Sequence, residues 1–179
     1  MMIRTDQLIM ALALAVAVAG GMLQRCAQRS QEPATRLARG QAVPALKLTD
    51  LDGKPHSLAD YRGQRVLLHA WAPWCGPCVE ELPQLVRWQT GHPDAPRLVG
   101  IALDEPAKVR AFLEQHAIES FTTLIGSLDE PPILTRLGDT RHVLPYSVLL
   151  DAQGKVLATH VGALGKNGLL QQWQEMTAP

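Results

Sequence analysis

The sequence predicts an α/β fold, a central mixed sheet with helices on both faces, from three observations. Two apolar runs, residues 66–71 and 97–103, are each followed by a helix-like segment, and strand, helix, strand, helix in that order implies parallel pairing. Two further apolar runs, 145–151 and 155–161, are separated only by the turn Asp151-Ala152-Gln153-Gly154, which makes them an antiparallel hairpin. Cys75 and Cys78 stand three positions apart where the first run gives way to its helix.

In chain order, Val43-Pro44-Ala45-Leu46-Lys47-Leu48, the turn residues Asp50-Leu51-Asp52-Gly53-Lys54 and His56-Ser57-Leu58 predict an N-terminal β-hairpin ahead of the sheet. Val66-Leu67-Leu68-His69-Ala70-Trp71 is almost unbroken in its apolarity, as a strand buried on both faces requires. Gly76-Pro77 opens a helix over about 77–89, since proline at the first helical position sacrifices only an N–H that has no partner anyway. Pro83 should bend that helix, and Thr90-Gly91-His92-Pro93 ends it. After the 97–103 strand, Asp104 is placed to cap a helix over about 106–116 with Val109, Phe112, Leu113 and Ala117 on one face. A third strand is expected over 121–125, a short helix over 131–137 and a last helix over 167–176 with Leu169, Leu170, Trp173 and Met176 at helical spacing.

The chain has 179 residues, enough for one domain and an extra segment, which lies at the N-terminus. Residues 8–23 carry no charge and follow Arg4, so residues 1–24 read as a signal or anchor segment. Sixteen apolar residues fall just short of the roughly 17 needed to span a bilayer, and Ala17-Val18-Ala19 also fits a cleavage site, so retained anchor and removable signal both stand. Arg25, Arg29, Arg36 and Arg39 follow the segment, and the positive-inside rule alone would leave the domain in the cytoplasm. An export signal ahead of a dithiol domain is the reading adopted. Residues 25–40 lack apolar periodicity and form a flexible tether, leaving 41–179 as the folded domain. Cys26 in the tether is a juxtamembrane thiol or one half of an intermolecular disulfide, and Arg25 before it argues against a lipid-attachment site. Seventeen basic and seventeen acidic side chains balance, and no Lys/Arg cluster marks a nucleic-acid face.

A helix N-terminus presents unpaired N–H groups and partial positive charge, which favour thiolate over thiol. Cys75 is therefore the expected attacking sulfur, with its pKa lowered, and Cys78, one turn in on the same face, the resolving one. The alternative, half of a zinc site, lacks the second ligand pair, because Cys26 is distant and the six histidines are scattered.

Trp74-Cys75-Gly76-Pro77-Cys78, the Pro83 bend, the hairpin turn at Asp50 and Leu144-Pro145 opening the strand that leads to Asp151-Ala152-Gln153-Gly154 resemble the thioredoxin superfamily. Within it they resemble the membrane-tethered thiol-disulfide oxidoreductases of the TlpA and ResA type, close to the DsbE/CcmG branch. The resemblance covers residue 43 to the C-terminus and implies a thioredoxin-like fold. It also implies that Leu144-Pro145 is a cis peptide beside the dithiol, where backbone pairs with substrate; read alone, Pro145 is equally a trans proline opening a strand. Glu81 matches an acidic residue of the ResA type and shares a helix face with Cys78, so it relays the thiol proton or is an ordinary exposed carboxylate. His69 stands where thioredoxin has a buried aspartate, and is a proton acceptor for Cys78 or a neutral core histidine hydrogen-bonded to its surroundings.

The resemblance implies an enzyme that reduces protein disulfides in the periplasm, in maturation of cytochrome c or of an oxidase, without a cofactor. Its electrons would come from a membrane donor of the DsbD/CcdA type. A disulfide oxidase or isomerase on the same fold, and a copper metallochaperone using Cys75, Cys78 and His142, are the rival readings. Ala72, three residues before Cys75, lacks the hydroxyl that a peroxidase of the peroxiredoxin type would place there.

Overall fold

The computed structural model describes residues 37–118, 121–126 and 132–164. The segment 8–23, Cys26, most of the tether and the helix expected over 167–176 lie outside the described residues. Among the described residues no helix is long and apolar enough to cross a membrane.

The elements are β1 (Leu48–Thr49), β2 (Pro55–His56), a 3-10 turn (Leu58–Tyr61), β3 (Val66–Trp71), α1 (Gly76–Gly91), β4 (Arg97–Ala102), α2 (Pro106–Gln115), β5 (Thr122–Gly126), α3 (Ile133–Arg136), β6 (Tyr146–Leu150) and β7 (Val156–Val161). The strands form one sheet in the order β2-β1-β5-β4-β3-β6-β7. β3, β4 and β5 run parallel, β6 is antiparallel to β3, and β7 to β6. The sheet is thus mixed, and β3, buried at all six positions, lies between β4 and β6.

Both crossovers, β3–α1–β4 and β4–α2–β5, step the same way across the sheet, so right-handed connections place α1 and α2 on one face. The core confirms it: Leu67, Trp71, Leu98 and Ala102 pack with Leu82 and Leu85 of α1 and Val109 and Phe112 of α2. The intervening residues Leu68, Ala70, Val99 and Ile101 form a second core with Ile133 and Leu134 of α3 on the opposite face. Period-2 alternation along β3 therefore aims Leu67 and Trp71 at α1, and His69 between them.

Gly100 in β4 shows how tightly the first face is filled. A Cβ there would lie 2.2 Å from the Phe121 ring and 2.9 Å from Trp71 Nε1, so only glycine lets the tilted Trp71–Phe121 pair lie over the strand.

Several local expectations are corrected. The N-terminal strands are only two residues each, because Ser57 caps the Leu58–Tyr61 turn and ends β2, and no strand forms between Val43 and Leu46. The turn between them does use Asp50, whose Oδ1 accepts the N–H groups of Asp52 and Lys54 and whose pKa is lowered chiefly by the Lys54 bond. Asp104 is not the cap of α2: Glu105 holds that position, and Asp104 accepts the Glu105 N–H at 2.7 Å one residue outside the helix. α1 runs through Pro83 and two residues beyond its expected end. β5 begins one residue after Phe121. Within the expected tether, Leu37 packs on the second core and the Gly40 N–H bonds Val156 O at 2.7 Å, because β7 offers an unpaired edge there.

Candidate active site

β3 delivers the chain at Trp71 to a short connection in which the Cys75 N–H returns to Ala72 O at 3.1 Å. Cys75 is the N-cap of α1, with extended backbone (φ −88°, ψ 102°), and Gly76 and Pro77 form the first turn. Cys75 and Cys78 are joined in a disulfide, with Cα atoms 5.3 Å apart. The two sulfurs are not equivalent. Cys78 is fully buried and Cys75 retains 6% exposure, while Trp74 beside it is 68% exposed.

The second wall is the segment before β6. Leu144–Pro145 is a cis peptide, and the pairing of Tyr146 with Ala70 sets Pro145 level with Trp71, at the end of β3 from which the dithiol emerges. Asp139, 3% exposed, holds this segment: its carboxylate accepts the N–H of Arg141 at 3.0 Å and of Val143 at 2.6 Å. His142 takes positive φ (53°) between those anchors, and its Nε2 lies 2.5 Å from Thr135 Oγ1. Among the described residues no group of three or more His, Cys, Asp or Glu is arranged to hold a metal ion.

Beneath the dithiol lie the two candidate proton carriers. Glu81 is 3% exposed, whereas its neighbour Glu80 is exposed, and the Glu81 carboxylate accepts a hydrogen bond from the Leu164 N–H. His69 is fully buried, with Nδ1 3.0 Å from Ser147 Oγ across the β3–β6 pair. Burial pushes its pKa down to about 4, so the ring is neutral at pH 7. Its Nε2 bonds no described group.

The structure thus brings Cys75, Cys78, Trp74, Gly76, Pro77 and Pro145 to one end of the sheet, with Glu81 on the sheet-facing side of α1 and His69 on the same face of the sheet. Sequence reasoning missed Asp139, Ser147 and the Leu164 amide. Asp139 follows Gly138 six residues before Pro145, in the spacing of a side-chain-capped loop, and Ser147 is the lone polar residue of an apolar strand. Leu164 acts through its backbone, for which residue type carries no signal.

A disulfide at the head of the helix that leaves the central strand of such a sheet makes this a thiol-disulfide oxidoreductase of thioredoxin-like fold. The chain belongs to the AhpC/TSA family, whose model matches residues 39–176. It is 30% identical over 144 residues to the thiol-disulfide oxidoreductase ResA of Geobacillus thermodenitrificans, covering 79% of this chain and 80% of that one. It is 31% identical over 140 residues to the thioredoxin-like protein YneN of Bacillus subtilis, covering 76% and 79%. Among solved structures it is similar to a thiol:disulfide interchange protein DsbE from Chlorobium tepidum, with TM-score 0.67 and 30% identity over 79% of this chain and 99% of that one. StoA of Bacillus subtilis superposes with TM-score 0.59 at 25% identity, over 76% and 98%.

Proposed function

We propose that this protein reduces protein disulfides outside the cytoplasm, held at the inner membrane by residues 8–23 or released by cleavage near Ala19. The observation that carries the reading is the asymmetry of the dithiol: Cys75 at the helix N-cap is the more exposed of the two cysteines, beside an exposed Trp74, and Cys78 is wholly enclosed. In the reduced protein the Cys75 thiolate attacks one sulfur of a substrate disulfide, forming a mixed disulfide and expelling the other substrate sulfur as a thiolate. Cys78, deprotonated, then attacks Cys75 Sγ, which releases the second substrate thiolate and closes the Cys75–Cys78 disulfide. Two electrons have passed to the substrate. A membrane dithiol donor of the DsbD/CcdA type returns them.

Glu81 is the group assigned to take the Cys78 proton. His69 is assigned a structural role as a neutral core histidine, because an imidazole with pKa near 4 is a weak base at neutral pH. Pro145 and the backbone before it form the seat for an extended substrate segment. In this reading the substrates are proteins of cytochrome c or oxidase maturation, as the sequence resemblance to the ResA type implies.

The test is to express the full chain as Cys78→Ala and isolate disulfide-linked complexes. Cys75-dependent adducts with secreted or membrane-exposed proteins are expected, and their absence overturns the reading. The redox potential decides direction: a value near about −270 mV supports a reductase, and one near about −120 mV an oxidase.

A further inference from the structure

A cavity adjoins the seat at Pro145. It has a volume of about 320 Å³ and is lined by Gly138, Asp139, Thr140, Arg141, Tyr146 and Val161. That is the small end of the range of ligand cavities, with room for a single side chain. The sheet sets its position relative to the dithiol. Tyr146 and Val161 pair across β6 and β7 and pack with the core on the α3 face, whereas Cys75 and Cys78 belong to the core on the α1 face. Tyr146 directly follows Pro145, and the N–H of Gly162, which follows Val161, bonds Pro145 O at 2.8 Å, so cavity and seat share a wall.

The residues around the cavity are held in place by the loop itself. Asp139 accepts the N–H groups of Arg141 and Val143 on its two carboxylate oxygens, and His142 between them, at φ 53°, has Nε2 2.5 Å from Thr135 Oγ1. The Arg141 backbone is thereby fixed while its side chain is exposed, and among the described residues the guanidinium makes no hydrogen bond or ion pair. Tyr146 directs its hydroxyl to Leu137 O at 3.0 Å, leaving the ring to line the wall. The two charged groups at the cavity thus differ: the carboxylate has an N–H partner on each oxygen, and the guanidinium has no acceptor.

We infer that this cavity is a specificity pocket for an acidic side chain of the substrate, the one next to the cysteine under attack, and that Arg141 selects it. The inference rests on the reductase reading and on the seat at Pro145. β3 ends at Trp71, level with Pro145, so among the described residues the backbone ahead of Pro145 has no strand beside it on that side. A substrate segment that pairs there is extended, and successive side chains of an extended segment point to opposite faces. With the substrate cysteine turned to the α1 face, where Cys75 lies, its immediate neighbour turns to the α3 face, where the cavity lies. There the planar fork of the guanidinium matches the two oxygens of a carboxylate. A substrate lysine would meet the exposed Arg141 before reaching Asp139, which is buried and has both oxygens engaged.

The experiment measures second-order rate constants of the reduced full chain with three short peptides, each as its disulfide-linked dimer, whose cysteine is flanked on both sides by glutamate, glutamine or lysine. Each rate is divided by that of 2-mercaptoethanol with the same peptide, which removes the effect of charge on the substrate thiol itself. Glutamate is expected to exceed glutamine by about fivefold, the scale of a well-formed exposed ion pair, and lysine to fall below glutamine. Arg141→Gln should abolish the glutamate preference, and Arg141→Lys, which keeps the charge and loses the fork, should retain only part of it. Lys155→Gln removes the same charge at the other end of β7 and should leave the preference intact. Equal normalised rates for glutamate and glutamine, a preference for lysine, or a loss as large in Lys155→Gln as in Arg141→Gln overturns the proposal. The unaltered protein alone can refute it should a variant not fold. If no peptide is reduced, the reductase reading fails and takes this inference with it, whereas reduction of all three at one rate overturns the pocket alone.

Discussion

His69 is a tightly held buried polar residue: fully buried, bonded to Ser147 Oγ and held neutral by burial, with its pKa at about 4 against 6.5 when exposed. Between those two values the unfolded chain binds a proton that the folded chain does not. Stability from this residue is therefore complete above pH 6.5 and falls as pH drops towards 4, by on the order of 3 kcal/mol. Urea unfolding at pH 7 and pH 4.5 should show that loss in the unaltered protein and a flattened pH dependence in His69→Asn. Glu81, also buried, is the proton acceptor in the proposed mechanism. Glu81→Gln, which keeps the shape and removes the base, should slow disulfide exchange about 100-fold at pH 7 in single-turnover kinetics, with little change in melting temperature.

Two elements set how closely the parts of the site approach. β4 carries the dense contact between its own backbone and the Trp71–Phe121 pair, and Gly100→Ala would drive a methyl group into the Phe121 ring. The ring must shift, at about 1–3 kcal/mol, which calorimetry should register as a lowered melting temperature. The segment between α3 and β6 depends on the buried Asp139 for two backbone bonds. In Asp139→Ala the N–H groups of Arg141 and Val143 lose their acceptor, at a cost of about 1–3 kcal/mol. Because that segment leads directly into Pro145, the same variant should also weaken substrate capture, seen as fewer trapped adducts when combined with Cys78→Ala.

Over the whole molecule, the site exists because two crossovers of one hand stack α1 and α2 on the same face while β6 returns antiparallel beside β3, bringing Pro145 to the end of β3 from which Cys75 emerges. Much of this was legible in the chain. The dithiol announces itself by spacing, and the glycine at Gly76 and proline at Pro77 place it at a helix N-terminus, because those are local preferences of backbone and side chain. The parallel pairing of β3 with β4 and the hairpin at Asp151 follow equally from local pattern. Where the local reading went astray, at the short N-terminal strands and at the Asp104 cap, neighbouring backbone decided: Ser57 capped a turn where a strand was expected to continue, and Pro106 opened α2 with Glu105 rather than Asp104 at its N-cap.

What the sequence by itself determined is the chemistry at the surface end, an N-terminal thiol on a helix backed by a second cysteine. What only the tertiary structure decided is the environment beneath it. His69 meets Ser147 across 78 positions and Glu81 meets the Leu164 amide across 83. The physical reason is that strand register and turn geometry choose those partners, and one of them is a backbone group that any residue would supply.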